Sequence, residues 1–191
     1  MDIRTVEGKI EAYIFERHIG DDGLGLIRER LETAPGVEFI GQFVGAFTLF
    51  ARVVADDFAE LQKNISGPYF DAGVRSHVSV NLTGPRPASP KRHSPNVCAL
   101  VCAQTRADPF EVLAALDLRF LSDRNDYGAA VVTAPDFDLL VDLGADTVEQ
   151  VLDRVVELRK VPGIGRTSTA VADVRGAYRR RKSPAESPGQ S

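Results

Sequence analysis

The chain has 191 residues, 43% of them apolar and 26% charged, with a formal net charge of −4. That balance is ordinary for a globular protein in water, and no apolar run approaches the length needed to cross a bilayer. The opening Met1-Asp2-Ile3-Arg4 lacks the basic-then-apolar form of a signal peptide, so a cytoplasmic location with no membrane contact is expected.

Charge is unevenly spread. From Arg175 onward five basic residues stand against Glu186, a net of +4, which leaves −8 for the remainder. An acidic body is a poor nucleic-acid surface, and the Arg179–Lys182 run beside Ser-Pro-Ala-Glu-Ser-Pro predicts a basic disordered tail over 175–191. The two cysteines, Cys98 and Cys102, share one predicted strand at a spacing too long for a mutual disulfide. They are expected to be small buried apolar groups, because a set with His93 fits no zinc pattern.

In chain order, the first strand is predicted over Ile10–Glu16. A helix opens at Asp21-Asp22-Gly23, with Leu24, Ile27 and Leu31 as its buried stripe, and stops at Ala34-Pro35-Gly36. Strands over Val37–Val44 and Phe47–Val54 are joined by a turn at Gly45-Ala46, and are followed by a helix over Asp57–Ile65 and a strand over Val74–Leu82. Four prolines among polar residues make 83–96 a stiff, extended linker. The same order then recurs: strand Val97–Ala103, helix Asp108–Leu116, strand Phe120–Thr133 interrupted near Ser122–Asp126, strand Phe137–Leu143, helix Thr147–Lys160, strand Gly165–Val174. Asp108 with Pro109 and Glu111 is a strong helix start, as are Asp146 and Thr147 with Glu149 and Gln150.

Residues also repeat. Phe47 to Leu61 lies under Phe137 to Val151 at a constant offset, matching at the aromatic, at Leu49 and Leu139, and at the Ala-Asp before each helix. After one extra residue Arg75-Ser76 falls under Arg166-Thr167. The expected fold class is therefore α+β, with two tandem ferredoxin-like βαββαβ units over 10–82 and 97–174 that repeat at an interval of roughly ninety residues. Their open sheet faces, carrying Phe50 and Val54 in one unit and Leu140 in the other, would stack as in a dimeric α/β barrel. A homo-oligomer, at least a dimer, is expected to cover them.

The run Pro135-Asp136-Phe137-Asp138-Leu139-Leu140, with Val161-Pro162-Gly163-Ile164-Gly165-Arg166-Thr167-Ser168-Thr169 after the helix, resembles the ligand-binding domain of the Lrp/AsnC (feast/famine) regulators. That pattern is an acid-bearing turn into an apolar strand, then a helix ending at Pro-Gly and a Thr-x-Thr strand. Pro135 stands where the family usually has glycine. The first unit keeps Gly45 but has Ala46 and Thr48 in place of the acids, so it resembles a degenerate copy. The resemblance implies a small-molecule effector, an amino acid, held by Asp136, Asp138, Thr167 and Thr169, and a role in transcription regulation through a partner regulator of the same family. Family regulators carry a helix-turn-helix. No segment before Ile10 can form one, so direct DNA binding is not expected. The structural alternative for the same residues is a turn-stabilising Asp136 and β-forming threonines.

A second reading is an enzyme of the same barrel superfamily, monooxygenase-like or haem-handling, with a cleft lined by His77, Arg75 or Asp138. His77 alternates with Arg75, Ser79 and Asn81 on the polar face of its strand, whereas His18 and His93 are expected in solvent. No phosphate loop, dinucleotide fingerprint or Ser–His–Asp arrangement is present, so the motifs imply no cofactor or metal and no catalytic residue.

Overall fold

The computed structural model describes residues 9–17, 21–70, 77–83, 95–117, 127–173 and 178–180. In chain order the elements are β1 (Ile10–Glu16), α1 (Asp21–Thr33), β2 (Val37–Gln42), β3 (Val44–Gly45), β4 (Leu49–Ala55), α2 (Phe58–Phe70) and β5 (His77–Asn81). Then come β6 (Val97–Thr105), α3 (Pro109–Leu116), β7 (Tyr127–Ala134), β8 (Leu139–Ala145), α4 (Val148–Arg159), β9 (Ile164–Asp173) and β10 (Tyr178–Arg180). None of the described helices is long and apolar enough to cross a membrane.

The helix starts follow from capping. Asp108 accepts from the N–H groups of Phe110 and Glu111, and Thr147 accepts from that of Gln150. In return the Gln150 side chain accepts from the N–H of Asp146, so two otherwise orphaned donors are satisfied at the start of α4. Gly163, at φ +87°, then turns the chain out of α4 and into β9.

The fold is mixed α+β on one large antiparallel sheet, with four helices among the described residues. Strand order is β10-β2-β4-β1-β5-β7-β8-β6-β9-β3. Residues before the proline-rich stretch supply β2-β4-β1-β5 and those after it supply β7-β8-β6-β9, with β5 and β7 paired through Val80–Ala134 and Asn81–Thr133. At the far side β3 pairs with β9 through Val44–Val171 and Gly45–Ala170. Only Phe43 separates β2 from β3, so one residue links the first half's outer strand to the second half's. Gly45 makes this closure possible. Its φ is +131°, and a Cβ there would lie 2.6 Å from the Thr169 carbonyl oxygen.

Strand alternation sorts the core into three layers. Ile10, Ala12, Ile14, Leu49, Ala51 and Val53 pack under α1 and α2. Val97, Ala99, Val101, Leu139, Val141 and Leu143 pack under α3 and α4. Between the inner sheet faces lies an aromatic layer of Tyr13, Phe15, Phe39, Phe43, Phe47 and Phe50 against Cys98, Leu100, Cys102, Val131, Leu140, Ala170 and Ala172.

Three expectations are corrected. The open faces that argued for a second chain are covered within this one, since Phe50 and Leu140 are both buried in the aromatic layer. The hairpin expected between Val44 and Phe47 is an excursion: the Phe43 N–H donates to the Thr48 carbonyl, and Val44–Gly45 leaves to join β9. Tyr178–Arg180, expected in a disordered tail, pairs with Phe39–Gly41 of β2. The linker residues 84–94 and the interruption near Ser122–Asp126 lie outside the described residues.

Candidate functional site

At one end of the molecule the last residues of β1, the first of β5 and the β7–β8 turn converge. Phe15 faces inward and is the cross-strand partner of His77, which places the imidazole on the inner face as well. Asp136 in the turn brings its Oδ2 to 3.4 Å from His77 Nδ1. The side chains are 47% and 37% exposed, so the pair is open to solvent and to a ligand. The ladder between β5 and β7 runs over Val80 and Asn81, and the His77–Asp136 contact bridges the same two segments further along.

Apolar and cationic groups frame this mouth. The Phe137 ring meets Phe15 edge-on at 5.6 Å, and Phe15 meets Phe47 at 5.2 Å. The Arg17 guanidinium carbon lies 6.0 Å from the Phe137 centroid, at the outer limit of a cation–π contact. Below, burial pushes the Cys102 thiol up to about 12, while the positive charge of Arg17 pulls the other way. Ser79, two residues on from His77 along the same inner face, is fully buried, and its hydroxyl has no hydrogen-bond partner.

A second polar cluster occupies the other end of the inner face. Glu11 accepts from the Tyr13 hydroxyl at 2.9 Å and from Asn81 Nδ2 at 3.0 Å, and it pairs with Arg52, which also lies 3.5 Å from Glu38. Burial, and then the Glu11 charge, pushes the Tyr13 phenol well above its ordinary range. Asn81 in turn accepts from Thr83, whose hydroxyl accepts from the Val132 N–H. Arg52 with Glu11 and Glu38, Asn81 with Glu11, and Thr83 with Val132 each tie one strand or its end to a neighbour, so this network is structural: it joins β1, β2, β4, β5 and β7.

The four residues expected to hold an effector do not gather. Asp136 is at the mouth. Asp138 accepts at Oδ2 from the Thr105 N–H at 2.6 Å and from its hydroxyl at 3.3 Å, so it fastens the start of β8 to the end of β6. Thr167 and Thr169 are paired across the ladder with Ala103 and Val101, which belong to the helix-side core, so both threonines face the helices. Thr167 accepts from Arg159 Nε at 2.8 Å, and the Thr169 hydroxyl is buried without a partner. Sequence reasoning found His77 and its polar neighbours by alternation but missed Arg17, which lies one residue beyond a strand end. Arg75, His18 and His93 lie outside the described residues.

No protein-family model matches the chain, and no curated protein matches it. Solved structures do. The siroheme decarboxylase NirDL aligns at a TM-score of 0.63 with 9% identity, over 86% of this chain and 71% of that one. Its complex with an iron-uroporphyrin III analogue gives 0.65 and 10% over the same shares. A mutant chlorite dismutase from Candidatus Nitrospira defluvii gives 0.54 and 12%, over 86% and 91%. A monooxygenase-type protein from Lactobacillus acidophilus NCFM gives 0.53 and 11%, over 86% and 92%. At these identities the likeness is one of fold. It overturns the resemblance to Lrp/AsnC ligand-binding domains, because the matching structures are of these other kinds. The amino-acid effector, the partner regulator and the role in transcription regulation fall with it.

Proposed function

We propose that the chain is a single-chain α/β barrel of two ferredoxin-like units, 10–82 and 97–174, joined by a linker over 83–96, and that it is a haem-handling protein with its ligand site at the His77–Asp136 mouth. The observation that carries this is the imidazole–carboxylate pair on an inward, solvent-reached edge, in a fold that NirDL and chlorite dismutase share.

The fit to an iron porphyrin differs between the two places that could take one. The layer between the sheets does not fit: its rings contact each other at centroid distances of 5.2–6.5 Å and their side chains are buried, which leaves no slot for a macrocycle. The mouth does fit. A histidine that ligates a metal characteristically has its other ring nitrogen held by a carboxylate, and Asp136 stands at Nδ1, so Nε2 is the nitrogen presented. Arg17 supplies a fixed positive charge for a carboxylate-bearing ligand, and Phe137 and Phe15 supply an apolar wall. When bound, the iron would supply redox and ligand-activating chemistry. Asp136 would orient His77, Arg17 would orient the ligand's acidic edge, and Phe137 would keep water from that side.

Titration with ferric haemin, followed by its visible absorption, tests the reading. Saturable binding with a shifted Soret band is expected in the parent protein, with loss of that shift in His77→Ala. Binding that leaves parent and His77→Ala spectra the same would refute the site.

A further inference from the structure

Glu16 ends β1 with its side chain on the face opposite Phe15 and His77, the face whose Ile10, Ala12 and Ile14 pack under the first two helices. It is 1% exposed, and neither carboxylate oxygen has a hydrogen-bond partner. Its backbone is fixed, since its carbonyl accepts from the Thr48 N–H at 2.8 Å and from the Thr48 hydroxyl at 3.3 Å, and its cross-strand neighbour is the buried Leu49. The elements over this face turn apolar groups toward it: Ile27 and Leu31 from α1, Leu61 and Ile65 from α2. The charged side chains described on those elements are Arg28, Glu29, Arg30 and Glu32 on α1 and Glu60 and Lys63 on α2. None of them bonds a Glu16 oxygen, and neither do Arg17 beside it or His77 on β5.

A buried carboxyl with no donor carries its charge only at a cost where it sits. We propose that Glu16 is a pH-sensitive latch: as a neutral acid it stays packed under the first helix, and as a carboxylate it favours an opened form in which it reaches water, which unseats the end of β1 and with it Arg17 at the mouth. Nothing in this depends on the ligand assigned to that mouth.

Burial raises the Glu16 carboxyl from 4.5 to about 7. In the opened chain the group returns to its ordinary value. Stability is therefore full below pH 4.5, is lost as pH rises through 7, and levels off above that. The interval corresponds to at most about 300-fold in the equilibrium between closed and opened forms.

Hydrogen exchange of the full chain, compared at equal pH between parent and Glu16→Gln, reads this directly. At pH 8.5 peptides covering β1 and α1 are expected to exchange up to about 300-fold more slowly in Glu16→Gln, with the difference gone by pH 4.5. A difference that does not change with pH, or none at pH 8.5, overturns the latch. Glu16→Met, which keeps the length without the acid, should behave as Glu16→Gln does. If neither variant folds at any pH, the carboxyl is holding the fold together and the latch is overturned.

Discussion

The two halves follow the same strand order yet bring unlike surfaces to the space between them. The first supplies rings, Tyr13, Phe15, Phe39, Phe43, Phe47 and Phe50, and the second supplies small or branched groups, Cys98, Leu100, Cys102, Val131, Leu140, Ala170 and Ala172. Large groups set against small ones interdigitate, whereas two ring-bearing faces would overfill the same gap. Two halves with complementary faces cover each other, which removes the need for a second chain at this surface.

The largest expected effect comes from removing the central ring. Phe50 contacts Tyr13, Phe15, Phe39, Phe43 and Phe47, so Phe50→Ala should cost about 3–5 kcal/mol by denaturant unfolding, against roughly 2–4 for Leu140→Ala on the facing side. Near-zero losses would mean that the halves do not bear on each other. Next is the seam. Gly45→Val places a Cβ against the Thr169 carbonyl at a positive φ and should cost about 1–3 kcal/mol, whereas Ala46→Ser beside it should be nearly neutral. The complementary face also predicts silence. With its thiol held up to about 12, Cys102 should resist a thiol reagent at pH 8 in the native protein and react once denaturant opens the layer. Prompt native reaction would place the second half's inner face in solvent. The smallest stability effect belongs to the exposed pair: Asp136→Asn should change stability by less than about 1 kcal/mol yet weaken haemin binding roughly tenfold or more.

Much of the fold was legible in the sequence because it is dictated locally. The limits of β1, the caps Asp108 and Thr147 and the alternation of Leu139, Val141 and Leu143 follow from strand and helix period and from side-chain capping, which need only near neighbours. β3 was not legible: two residues carry no period, and their partner is β9, far along the chain. The turn and Thr-x-Thr motifs misled for a physical reason. Asp138 fastens β6 to β8, and Thr167 and Thr169 lie on the helix-facing side of β9, so those residues serve the topology before they serve any ligand. Alternation identified the polar face of His77. Its partner Asp136 comes from the other half, and no short-range pattern announces that pairing.

The closure of one chain on itself can be tested at the β3–β9 seam, where Val44 faces Val171. A Val44→Cys/Val171→Cys protein, treated at micromolar concentration with a short bifunctional thiol reagent, is expected to give a bridged product of one-chain mass, with Cys98 and Cys102 unmodified. Bridging that yields mainly two-chain species would contradict it, because the strands would then be pairing between molecules.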